Sequence, residues 1–69
     1  MKNRIRECRL ALEMSQVELC KAVGVTDRAI AHYEKAQREP TLEVWECLAS
    51  ALHVSPAYLV GWSDEKGQR

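Results

Sequence analysis

The sequence predicts an all-α fold, a five-helix orthogonal bundle, and three observations carry that prediction. Apolar residues recur at three- and four-residue spacing, the mark of helices with one buried face. Four of these stretches open on a hydroxyl residue placed to cap a helix, namely Ser15, Thr26, Thr41 and Ser55. No stretch alternates as a strand would, and two Pro and three Gly leave little room for long loops.

Arg4 to Leu12 reads as the first helix, with Ile5, Cys8 and Leu12 facing inward. Ser15 caps the second, and Glu18 three residues on completes a capping box. Leu19, Cys20 and Val23 supply its inward stripe, while Val17 is half-exposed. Gly24 then suits a tight turn at positive φ. Thr26 caps the third helix, with Asp27 at the positive end of its dipole. Ala29, Ile30 and Tyr33 face inward there, and Ala31 and His32 turn outward. A charged loop from Lys35 to Glu39 ends at Pro40. Thr41 caps the fourth helix, whose Leu42, Trp45, Leu48, Ala49 and Leu52 form the strongest amphipathic stripe. Ser55-Pro56, a cap with proline at the first helical position, opens a short fifth helix through Val60 that Gly61 stops.

At 69 residues the chain is one domain with a small core. We expect residues 1–62 to form it and 63–69 to be a flexible tail. No apolar run approaches the roughly 20 residues that span a bilayer, and the start does not resemble a signal peptide, so a soluble, cytoplasmic protein is expected. Cys8, Cys20 and Cys47 are odd in number and lack metal-ligand spacing; they read as small buried apolar side chains, with no metal and no cofactor.

Formal net charge is zero, which argues mildly against a nucleic-acid partner. The distribution is less neutral than the sum. Up to Pro40, eight cations stand against six acids, and beyond it two stand against four. The basic half carries the two-helix unit from Ser15 to Glu34. A second helix presented off a first across so short a turn is a shape that fits a DNA major groove.

RIRECR, SQVELC, VGVTDRAIAHYE and EPTLEVWECLASALHVSP, in that order, resemble the Cro/phage-repressor class of helix-turn-helix domains, the XRE family. The likeness runs from about residue 4 to 60. It implies a lambda-repressor-like bundle whose second and third helices form the helix-turn-helix and whose third helix enters the major groove. Carried over by position, it implies Asp27, Arg28 and His32 as base readers. The chemistry suits them. Arg28 matches guanine O6 and N7, Asp27 can accept from a cytosine amino group, and His32 can donate to guanine or accept from adenine. The bland reading of Asp27 and Arg28 is a solvated helix start with a local ion pair, and of His32 an ordinary surface histidine. Gln16, Thr26, Lys35, Gln37 and Arg38 are expected on the DNA backbone, fixing register and salt dependence. The resemblance also implies a partly buried structural ion pair between Arg9 and Glu34. Where the family often has Gly, this chain has Glu13, Ala36 and His53, so each must accept strain or extend its helix.

The expected function is sequence-specific binding of double-stranded DNA by a transcriptional regulator, a repressor of phage or prophage type on a palindromic operator. One recognition helix reads too few base pairs, so a homodimer is expected, with no membrane and no small-molecule ligand. Val54, Tyr58, Val60 and Trp62 are the expected dimer surface, unless Trp62 folds back over Trp45 or Leu59. No nucleophile–base set points to an enzyme. The alternative is a protein-interaction module on the same fold, such as an antitoxin or antirepressor, favoured by the neutral charge and by Asp27 in the recognition helix.

Overall fold

The computed structural model describes residues 3–65. Among them the chain forms five helices and no strand: α1 (Ile5–Ala11), α2 (Gln16–Val23), α3 (Asp27–Glu34), α4 (Leu42–Leu52) and α5 (Pro56–Val60). Each hydroxyl cap accepts a backbone N–H in the first turn of its helix. Ser15 takes that of Glu18, Thr26 that of Ala29, Thr41 that of Val44 and Ser55 that of Tyr58. The Glu18 carboxylate accepts the Ser15 N–H at 2.8 Å, which closes the capping box.

All five helices end in the same way. A left-handed residue follows each: Glu13, Gly24, Ala36, His53 and Gly61, with φ from 56° to 99°. The next N–H then reaches back five residues, Met14 to Arg9, Val25 to Cys20, Gln37 to His32, Val54 to Ala49 and Trp62 to Ala57. This closure satisfies carbonyls the helix end would otherwise leave open. Glu13, Ala36 and His53 therefore accept the strain of positive φ; none extends its helix by a turn.

Helix α2 packs on α3 and α4, α5 on α4, and α1 touches α3, α4 and α5. Every helix contributes one large fully enclosed side chain: Ile5, Leu19, Ile30, Leu48 and Leu59. Burying a side chain of that size is worth roughly 1.5–3 kcal/mol, so these five are the main apolar contribution to a small core.

Several sequence-based expectations are corrected. Leu42 belongs to the α4 stripe by register, yet it is 73% exposed at the edge of a groove that it lines with Pro56, Ala57, Val60 and Trp62. Leu12 is exposed at the rim of a recess over Leu52 and Val54, since the inward side of the last α1 turn is given to Arg9. Cys8 and Cys20 are buried, whereas Cys47 is exposed on the face of α4 opposite Trp45. Val54 and Val60 are mostly enclosed in the core, and Val60 reaches the surface only at the floor of a groove beside Trp62. Tyr58 is partly buried against that core, and Trp62 does not fold back but stays 78% exposed.

Of the expected tail, residues 66–69 lie outside the described residues. Ser63, Asp64 and Glu65 are hydrogen-bonded onto the domain. Arg4 lies over the Tyr58 ring at 4.1 Å and donates to the Tyr58 and Ser63 carbonyls and to Asp64 Oδ1. Ser55 Oγ donates to the Glu65 carbonyl.

A left-handed residue with a Cβ costs about 1–2 kcal/mol, against up to about 1 kcal/mol of extra chain entropy lost by glycine. Ala36→Gly and His53→Gly should each raise the unfolding free energy by up to about 1 kcal/mol, read as a higher urea midpoint at unchanged slope.

Candidate nucleic-acid interface

The α2–turn–α3 unit is built from its caps. Ser15 and Glu18 fix the start of α2, and Gly24 at φ 86° turns the chain. A Cβ at Gly24 would meet nothing within 4 Å, so the backbone angle alone demands glycine there. Thr26 Oγ1 then accepts the Ala29 N–H at 3.1 Å and starts α3 only two residues past the glycine.

Helix α3 buries Ala29, Ile30 and Tyr33 against the domain. Its other side carries Asp27 and Arg28, both exposed, with His32 half-buried one turn along. Asp27 Oδ1 accepts the Arg28 backbone N–H at 2.8 Å, so this carboxylate partly serves the helix start. Among the described residues nothing holds the Arg28 guanidinium. Thr26, Lys35, Gln37 and Arg38 are exposed, the last three in the turn that closes α3. That turn keeps its shape at Ala36 because the Gln37 N–H reaches the His32 carbonyl at 3.0 Å. The predicted base-facing residues thus share the outer side of α3, with Thr26 at its start and Lys35, Gln37 and Arg38 in the turn after its end.

Behind this face sits the Arg9–Glu34 pair. Arg9 Nε donates to Glu34 Oε2 at 2.6 Å, and the side chains are only 9% and 4% exposed. Arg9 Nη2 donates to the other carboxylate oxygen, and Arg9 Nη1 to the Met14 carbonyl at 2.8 Å. Gln16 Nε2 adds a bond to Glu34 Oε1 at 3.1 Å. One guanidinium therefore joins α1, the turn after it and the end of α3, and Gln16 brings in the start of α2. Among the described residues no buried side-chain nitrogen or oxygen lacks a partner.

Two features escaped sequence reasoning. Gln16, expected on DNA, has an N–H committed to Glu34 and keeps a second N–H for an outside acceptor. Asn3 Nδ2 donates to the Tyr33 carbonyl at 2.8 Å and Asn3 Oδ1 accepts the Ile5 N–H, so it links the start of α1 to the end of α3. A lone Asn ahead of a helix signals a cap, but not this second, distant partner.

Comparison with known proteins agrees with this geometry. The helix-turn-helix family matches residues 5–59. Repressor protein C2 of Salmonella phage P22 is 42% identical over 60 residues, covering 87% of this chain. The chain spans 28% of the length of that relative. The solved P22 c2 repressor in complex with synthetic operator 9T superposes with a TM-score of 0.83 at 40% identity, over 87% of this chain and 91% of that one. The restriction-modification controller protein C.AhdI of Aeromonas hydrophila gives a TM-score of 0.76 at 33% identity, over 80% and 83% of the two chains. The bundle is the phage-repressor type of DNA-binding fold.

Removing one partner of the buried pair strands the other charge. Arg9→Ala should lower the unfolding free energy by about 3–5 kcal/mol, and Arg9→Met with Glu34→Leu should recover most of that loss, read from urea midpoints.

Proposed function

The chain belongs to the helix-turn-helix family, and from that premise we propose that it is a phage-type transcriptional repressor, binding a palindromic duplex operator as a homodimer. The observation that carries the proposal is the division of α3 into a buried side and a side bearing Asp27, Arg28 and His32 just beyond a capped glycine turn. The 40%-identical structure holding its operator supports the same reading.

In this reading the N-terminal end of α3 lies in the major groove. Arg28 donates its fork to guanine O6 and N7, and Asp27 accepts from a cytosine amino group with the oxygen not held by the Arg28 N–H. His32 meets a base one turn further along. Thr26, Lys35, Gln37 and Arg38 hold phosphates on either side, and Gln16 reaches one with its second N–H. Asp27 repels phosphate, so the α3 face favours a matched site over a generic duplex. The protein works where bacterial DNA is, in the cytoplasm, and represses by covering a promoter; its family comprises DNA-binding regulators rather than enzymes.

Duplex affinity that falls steeply with salt, without any added protein, tests the proposal. Absence of such binding would favour the protein-interaction reading. Arg28→Ala should lose about 1–3 kcal/mol of discrimination at one base pair of each half-site. Lys35→Ala should instead weaken all duplexes alike and lower the salt slope by about 1, both read from binding isotherms at several salt concentrations.

A further inference from the structure

The Arg9–Glu34 pair carries one bond more than a bridge between α1 and α3 requires. Arg9 alone reaches both oxygens of the Glu34 carboxylate, at 2.6 and 3.3 Å. Glu34 Oε1 nevertheless accepts a further bond, from Gln16 Nε2 at 3.1 Å. A carboxylate paired with a guanidinium only accepts, so it dictates which way round the Gln16 amide lies. The nitrogen faces Glu34, with one N–H used and one left over. Gln16 is half-buried at the first position of α2. Glutamine loses much rotamer freedom when it is fixed, and here folding fixes it before any ligand arrives. The charge is settled at the same place. A lone carboxylate behind this amide would repel a phosphate, whereas the Arg9 guanidinium at 2.6 Å offsets that field.

We propose that Glu34 is a positioning residue for DNA contact: it holds the Gln16 amide ready to donate to a phosphate, and Arg9 offsets its charge while it does so. The inference rests on the operator reading and gives the buried pair a part in binding as well as in stability. The support runs outward from the core in steps. The Met14 carbonyl holds Arg9 at 2.8 Å, Arg9 holds Glu34, and Glu34 holds Gln16. Two of these three links carry charge and all are directional, so displacing one member moves the amide. A contact supported in this way raises affinity for every duplex and fixes register, and it leaves the reading of bases to α3.

A thermodynamic cycle on duplex affinity tests this, using Gln16→Met, the double change Arg9→Met with Glu34→Leu, and all three together. Methionine matches glutamine in length and helix propensity but donates nothing. In the unsubstituted chain, Gln16→Met should weaken binding to every duplex about tenfold. In the Arg9→Met/Glu34→Leu background, with folding checked by circular dichroism, the same change should weaken it less than about threefold. A pair that only braces the fold predicts equal losses in both backgrounds, and equal losses would overturn the proposal. NMR relaxation of the Gln16 side-chain amide in the unsubstituted, DNA-free chain is a second measurement that needs no change to the pair. The amide should be as ordered as the α2 backbone, and a freely moving one would also overturn the proposal. If the chain binds no duplex, the operator reading fails and the proposal falls with it. Equal losses on a duplex that is bound refute the positioning role alone.

Discussion

A guanidinium and a carboxylate withdrawn from water must find each other, and Arg9 and Glu34 do so across the junction of α1 and the end of α3. The pair spans 25 positions of sequence and is held further on both sides, Arg9 by the Met14 carbonyl and Glu34 by Gln16. Its geometry fixes where α3 ends relative to α1 and where α2 begins. Apolar burial makes the bundle stable, but an apolar contact has no preferred direction of its own. A bidentate ion pair has one, and this directionality is what sets the outward side of α3.

The second constraint lies in the connections. Each helix closes through a left-handed residue and a bond five residues back, so each chain reversal is short and has a defined exit direction. Gly24 and Gly61 take that conformation without steric strain, and Glu13, Ala36 and His53 take it under strain. The strained positions lie after α1, α3 and α4. The one after α3 shapes the loop that carries Lys35, Gln37 and Arg38, so the backbone angle at Ala36 links local strain to the proposed grip on phosphate.

Much of this was legible in the sequence because caps and glycine are local signals. Ser15, Thr26, Thr41, Ser55 and Gly24 each state a backbone requirement that their own side chains, or lack of one, satisfy. What escaped depends on contacts between distant segments. The stripe of α4 gave the right face for Leu42 but not the fact that a groove beside α5 leaves it exposed. Val54 and Val60 looked surplus because the volume of a core cannot be summed from periodicity; the structure encloses both. The Arg4 clamp on Tyr58, Ser63 and Asp64 joins the two ends of the domain and has no sequence pattern at all. For the candidate site, the residues on the outer side of α3 were readable from helical spacing, whereas the commitment of Gln16 to Glu34 was not.

The whole arrangement converges on one rigid object: a capped, glycine-turned helix whose outer side bears Asp27, Arg28 and His32 and whose inner side is locked by Glu34. Selection of bound sequences from a random duplex pool tests this account most directly. It predicts enrichment of a two-fold symmetric site with half-site centres about one helical turn, 10–10.5 base pairs, apart and with a strong guanine preference in each half. Recovery of no preferred sequence, or of a single half-site without its symmetric mate, would contradict it.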